Sequence, residues 1–313
     1  MLRRRILRIL IVGAGSTGGY FGGRLAEAGR DVTFLVRKGR AAQLRQDGLR
    51  IVSPHGDVSL APQLVTADAI GGPYDAVLLT VKAYSLAAAL EDLALAIGPE
   101  TMILPVLNGM RHMDLLVGRF GAGAVVGCVC KVATVLEEDG RIRQLAPMQE
   151  LSYGEINGSL SARMQRLDDT MRGAGFEARL STTIERDMWE KWVMLASLGG
   201  ITCLMRGHVG EVNAAPGGRD FILALLAEVV AAVTALGHPP SEKFLSAIQA
   251  SFTAPTSTQT SSMFRDLQKG APVEADQILG DLVARGTGAG VAMPLLSAAY
   301  AQLCIYQKRL AGQ

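Results

Sequence analysis

Aromatic side chains make up only 5% of this 313-residue chain, so aliphatic residues must supply most of any core. Cysteine occurs four times, at 128, 130, 203 and 304. None of the four has zinc-ligand spacing, and Cys128 and Cys130 lie two apart on an apparent strand, where both face one side. Free thiols in a reducing cytoplasm follow from that, and no metal site is expected. Excess charge is lacking too: 31 basic residues stand against 29 acidic ones. A nucleic-acid binder needs a concentrated basic face, and the short run Arg3-Arg4-Arg5 with Arg8 merely precedes the first strand. The most apolar stretch, Phe221 to Leu236, is too short to span a bilayer and is interrupted by Glu228, so a buried helix is expected there rather than a membrane segment. Nor does the start read as a signal peptide, because Arg8 breaks its apolar stretch. The last scarcity is lysine, with 7 against 24 arginines. Each lysine therefore merits a question.

Against these absences stands a large aliphatic content. Apolar residues reach 49%, enough for two globular cores in a chain of this length. The opening reads as strand (6–12), glycine turn, helix ending at Gly29, and strand (31–37). A hairpin follows around Pro54-His55-Gly56-Asp57. Residues 74–82 form a continuous apolar run, as in a strand buried on both faces. A helix over 85–97 and a strand over 101–109 come next. Alternation of this kind implies a parallel sheet. Asp139-Gly140 marks a second hairpin within 124–154, so the sheet is expected to end in antiparallel members. A helix over 160–173 and a short strand over 176–180 close the domain. Beyond Thr182 the pattern is helical, with stretches at 184–206, 217–237, 241–253, 272–289 and 294–310. The expected architecture is α/β: a Rossmann-type dinucleotide-binding domain over 1–181, then an all-helical domain over 182–313.

Gly13-x-Gly15-x-x-Gly18 sits between a strand and a helix, which is the context that gives such a motif meaning. Gly13 permits the tight turn, Gly15 lets backbone approach a pyrophosphate, and Gly18 lets helix and strand pack closely. With Ala14, Ser16 and Thr17 they make the expected phosphate cradle at a helix N-terminus. A site for NAD would place Asp or Glu at the end of the second strand. Here Arg37, Lys38 and Arg40 follow instead, and cations suit the 2′-phosphate of NADP(H). Lys82 and Asn108 fall at the ends of two further strands, on the edge where α/β sheets bind ligands, and point to the nicotinamide half or a substrate beside it.

Lys191 shares a helical face with Met188, Leu195, Leu198 and Thr202. It can snorkel, or it can serve hydride reduction of a carbonyl, which needs a proton donor where alkoxide develops. Arginine is a poor proton donor. The histidines at 55, 112, 208 and 238 form no rival set.

The segments GAGSTGGYFGGRLAEAGRDVTFLVR, TVKAY, LNGM, MWEKW and SSMFRDLQKGAPVEAD resemble the ketopantoate reductase (2-dehydropantoate 2-reductase) family, over essentially the whole chain. The resemblance implies reduction of a 2-oxo acid to a 2-hydroxy acid with NADPH, first of all 2-dehydropantoate to (R)-pantoate in pantothenate biosynthesis. It implies Lys191 as general acid, Glu274 orienting it or binding the substrate hydroxyl, and Ser262 near the substrate carboxylate. It also implies Lys82 and Asn108 beside nicotinamide and substrate. Arg111, where the family usually has a small residue, holds a carboxylate or is simply surface. Leu195, Gly199, Val209 and Gln259 stand where family asparagines are expected. An alternative is therefore a related NADP-dependent dehydrogenase of a different oxo or imino acid, and a further one is a non-catalytic NADP(H)-binding regulator. The expected partner is a small 2-oxo acid in the cytoplasm, with neither nucleic acid nor membrane; a homodimer is left open.

Overall fold

The structure is a computed structural model that describes residues 6–312; the run Arg3-Arg4-Arg5 lies outside the described residues. The chain divides into two compact units. The first is Met1–Leu107 with His112–Glu185, and the second is Arg186–Gln313 with Asn108–Arg111.

In the first unit the chain runs β1 (Arg8–Val12), α1 (Ser16–Glu27), β2 (Asp31–Leu35), α2 (Lys38–Asp47), β3 (Leu49–Val52), β4 (Val58–Leu60) and β5 (Gln63–Val65). It continues through β6 (Ala76–Leu79), α3 (Leu86–Asp92), β7 (Met102–Pro105), α4 (Arg111–Phe120), β8 (Gly127–Leu136), β9 (Ile142–Gly154), α5 (Ala162–Met171) and β10 (Glu177–Leu180). One sheet has the order β5-β2-β1-β6-β7, and all its pairings are parallel. Its central strands are apolar on both faces, as the unbroken runs ILIV and AVLL require. The strand order reverses beside β1, so the carboxyl ends of β1 and β6 flank the place where such sheets take a ligand.

The antiparallel strands do not extend that sheet, as the sequence led one to expect. They form a second sheet of order β10-β9-β3-β4, with β8 paired antiparallel to β9. Only an isolated bridge, Ile103 to Val125, continues from β7 toward this region. The reason lies in α1, which packs against both sheets through four glycines. A Cβ on Gly22 would lie 2.6 Å from the Phe34 ring and 2.8 Å from Ile11 on the first sheet. A Cβ on Gly23 would lie 2.6 Å from Leu49 and 2.7 Å from Ile51 on the second. Gly19 meets Ile142 of β9 in the same way, and Gly18 meets Thr80 just past β6. The helix thus sits in one core with residues of both sheets around it.

The second unit is helical. It takes α6 (Ile184–Met205), all but its first two residues, then α7 (Val209–Ala214), α8 (Gly218–Ala235), α9 (Glu242–Phe252) and α10 (Ser262–Gln268). A π-helical turn (Asp276–Gly280), α11 (Asp281–Gly288) and α12 (Pro294–Ala311) complete it. Glu228, the polar interruption in the apolar α8, accepts from the backbone N–H of Leu295 and Leu296 at 3.0 and 2.8 Å. It thereby caps the start of α12, where free N–H groups need an acceptor. Four helices, α2, α4, α7 and α10, were not legible in the pattern: α2 buries only Ala41 and Leu44 of its ten residues.

The glycine face of α1 generates a stability prediction. An exposed helical glycine gains about 1 kcal/mol when replaced by alanine, whereas overpacking a filled core costs about 1–3 kcal/mol. Gly22→Ala must displace the Phe34 ring, so it should lower the denaturant midpoint. Gly39→Ala, in α2 with no neighbour within 4 Å of the new methyl, should leave the midpoint unchanged or raise it. Chemical denaturation of the two variants checks this.

Candidate active site

Gly13 adopts φ +98°, and its N–H donates to Leu35 O at 3.0 Å, closing the turn after β1. Gly15 is the N-terminal cap residue of α1, whose first turn receives no side-chain cap. Its leading N–H groups, including those of Ser16 and Thr17, are therefore not claimed by a side chain at the cap. A Cβ on Gly15 would meet no protein atom within 4 Å. Both features fit the pyrophosphate of a dinucleotide, which needs free donors and close backbone approach. Gly18 is fixed by its neighbours: a Cβ there would lie 2.1 Å from Thr80 Oγ1 and 2.2 Å from Gly13 O. The Thr80 hydroxyl donates to Val12 O at 2.9 Å and is shared with Gly13 O at 3.1 Å. Thr80 locks the loop, and no sequence signal singled it out, because a threonine at a strand end has many ordinary uses.

The three cations after β2 have different surroundings. Arg37 and Lys38 are exposed, as the cap residue and first residue of α2. Arg40 is half-buried and already engaged: Nε donates to Ala14 O at 3.1 Å, and its other nitrogens reach Gln43 Oε1 at 2.5 Å and Gly140 O at 3.3 Å. Burial lowers its pKa from the usual guanidinium range, with Asp47 opposing. Arg40 ties the glycine loop to the tip of the β8–β9 hairpin. A carboxylate does lie near Lys38, carried by the turn after β5 rather than by β2. The Asp68 carboxyl is held below the usual range, mainly by the Thr66 hydroxyl and its own backbone, with a small contribution from Lys38. Lys82 is exposed, at the cap of the short turn Ala83–Ser85 that follows β6.

The other candidate residues belong to the second unit. Asn108 is half-buried, and its carbonyl accepts from Gln277 Nε2 at 3.1 Å. The neighbouring Gly109 has φ +77°, and a Cβ there would lie 2.4 Å from Gln277 O. Only glycine therefore serves after Asn108. Arg111 is exposed at the start of α4. Lys191 is half-buried on α6, one uninterrupted helix of 22 residues. Of its helical face, Met188, Leu198 and Thr202 are buried and Leu195 is half-buried. Its neighbours on either side anchor the helix: Glu190 accepts from Ser241 N and Oγ at 2.9 and 2.7 Å, and Trp192 Nε1 donates to Ile278 O at 2.9 Å in the π-helical turn. Glu274, 9% exposed, stands just before that turn, with Gln277 one step along it. Ser262 is half-buried in the first turn of α10.

The positions that lack asparagine are filled. A Cβ on Gly199 would lie 2.6 Å from Met263 Cε, so the methionine end occupies that space. Val209 is fully buried, and its N–H donates to Gln259 O at 3.1 Å. The Gln259 side chain accepts from Ser251 at 3.0 Å.

Residues 9–158 match the family described as Ketopantoate reductase PanE/ApbA, and residues 183–307 match its C-terminal part. Over 301 residues the chain is 36% identical to the uncharacterized oxidoreductase YkpB of Bacillus subtilis, covering 96% of this chain and 99% of that one. It is 27% identical to a 2-dehydropantoate 2-reductase of Halobacterium salinarum, over 93% and 95% of the two chains. Among solved structures, a 2-dehydropantoate 2-reductase from Methylococcus capsulatus superposes with a TM-score of 0.86 at 27% identity, over 97% and 98% of the chains. By sequence along nearly its whole length and by fold, this chain belongs to the ketopantoate reductase family of oxidoreductases.

Proposed function

We propose that this protein reduces a 2-oxo acid to the 2-hydroxy acid with NADPH, and that Lys191 is the general acid. The observation that carries the proposal is a half-buried lysine on a largely apolar helix face, in a family of oxidoreductases, in a chain with 24 arginines and only 7 lysines. The dinucleotide supplies a hydride to the carbonyl carbon. Negative charge then grows on the oxygen, where the Lys191 ammonium meets it and delivers a proton. Glu274 acts beside it, orienting the ammonium or holding the substrate hydroxyl. Ser262 binds the substrate carboxylate, with Lys82 and Asn108 at the nicotinamide and substrate. Arg111, exposed at the head of α4, is a further carboxylate contact in this reading. The preference for NADPH rests on Arg37 and Lys38 at the end of β2, where no carboxylate follows in the chain; Arg40 is not needed for it.

Among 2-oxo acids, 2-dehydropantoate is the first candidate, since reductases of that substrate are similar along more than nine-tenths of their length. That reading places the reaction in cytoplasmic pantothenate biosynthesis. A second reading is favoured by Leu195 and by Met263 filling the space at Gly199: a 2-oxo acid with a less polar side chain. An apolar wall does not reward a substrate hydroxyl as an amide does. Purified protein, NADPH and a panel of 2-oxo acids with and without a side-chain hydroxyl separate the two by kcat/KM.

Two variants test the roles. Lys191→Ala should lower kcat by roughly 10²–10⁴ with NADPH affinity nearly intact, as loss of a general acid does. A rate close to wild type on a good 2-oxo acid would remove Lys191 from the mechanism. Arg37→Ala should weaken NADPH binding by about tenfold to a hundredfold, the size of a charge-assisted phosphate contact, and leave NADH binding little changed. Titration of both cofactors by fluorescence reads this out, and equal losses would refute the assignment.

A further inference from the structure

The first turn of α10 is joined to α6 through the Ser261 hydroxyl. Phe264 N–H donates to Ser261 Oγ at 2.9 Å. Thr202 Oγ1 donates to Leu198 O at 2.7 Å. Ser261 Oγ and Thr202 Oγ1 are 2.9 Å apart. The only proton on Thr202 is committed to Leu198 O, so the Ser261 hydroxyl must be the donor between them. The result is one chain from the Phe264 amide through Ser261 and Thr202 to a carbonyl of α6. Thr202 is fully buried and Ser261 is 4% exposed. Cys203 Sγ lies 3.9 Å from Ser261 Oγ. Burial pushes that thiol up to about 11, so it remains neutral and brings no charge to the chain.

A second contact lies close by. Met263 puts its methyl against Gly199, one turn before Thr202 and Cys203 on α6. Ser261 and Met263 are thus both held to α6, and Ser262 lies between them in sequence. The Lys191 face of α6 contains Leu198 and Thr202, the two residues at the α6 end of the chain.

We propose that Thr202 and Ser261 are positioning residues for Ser262: their hydroxyl chain fixes where Ser262 presents its side chain relative to the lysine helix, and so sets the grip on the substrate carboxylate. The proposal rests on the reading that Ser262 binds that carboxylate. Ser261 alone could be an ordinary helix cap, since its Oγ already accepts from Phe264 N–H. Thr202 is the discriminating position, because losing its hydroxyl leaves the Ser261 cap in place and removes the Ser261–Thr202 bond, together with the bond of Thr202 to Leu198 O on its own helix.

The test uses the full-length protein with NADPH and its best 2-oxo acid. Thr202→Val keeps the shape and removes the hydroxyl, and should raise KM for the 2-oxo acid by roughly threefold to tenfold, the net worth of one neutral hydrogen bond. kcat and the Kd for NADPH should stay near wild type. Thr202→Ser loses a buried methyl but keeps the hydroxyl; it should lower Tm yet restore KM. A structural role alone would make KM follow Tm in both variants, and that result would overturn the proposal. In a Ser262→Ala background, Thr202→Val should add nothing to KM. If it adds its full effect there, the chain does not act through Ser262 and the proposal fails. If Ser262→Ala leaves KM unchanged, the carboxylate reading itself falls, and the proposal with it. Should Thr202→Val not fold, Thr202→Ala carries the same comparison.

Discussion

The close approach of α1 to two sheets at once is the constraint on which the first unit depends. Ordinary helix-on-sheet packing interposes side chains. Here Gly18 and Gly22 face the parallel sheet and Gly19 and Gly23 face the mixed one, and each would collide with a neighbour if it carried a Cβ. The same closeness sets the cofactor loop. Because Gly18 sits against Thr80 and Gly13, the start of α1 is held at the carboxyl end of β1, and in the proposed reading its leading N–H groups meet the cofactor pyrophosphate there. Fold and binding loop are thus one packing problem, solved by the same short segment.

Polar groups inside the helical unit follow a different rule. A buried polar group costs free energy unless it is paired, and several partners here are backbone groups at helix ends and irregular turns. Glu228 takes two amides of α12, Glu190 takes the start of α9, and Trp192 satisfies a carbonyl of the π-helical turn. The last two join α6 to the start of α9 and to that turn.

Strong periodicity made part of this molecule legible. The strand, loop, helix and strand over 6–37 combine an apolar run, a glycine motif and a helical face, and the structure has all of them. The second sheet was not legible as separate, because nothing in the strands themselves says whether they extend an existing edge; the answer lay in Gly19 and Gly23 of α1, which look like ordinary small residues. Arg40 was grouped with Arg37 and Lys38 by its place in the chain, yet its guanidinium spans three segments far apart in sequence. Such long-range engagement leaves no local mark. Thr80, Gln277 and the pair Thr202 and Ser261 were missed for the same reason.

The arrangement along α6 also bears on how such a protein changes substrate. Lys191 comes first, Leu195 one turn later, and Gly199 a turn after that. One helix of 22 residues carries the residue proposed for proton transfer and two of the positions where the family resemblance leads one to expect asparagine. Replacements at 195 and 199 alter the wall one or two turns away without touching the Trp192 and Glu190 anchors that flank the lysine. The Met263 methyl lies where a side chain at Gly199 would begin, so that space is already taken. In the proposed reading chemistry and side-chain recognition are therefore separable on one helix: the anchors flanking Lys191 hold the proton donor, and the turns that carry Leu195 and Gly199 set the substrate preference.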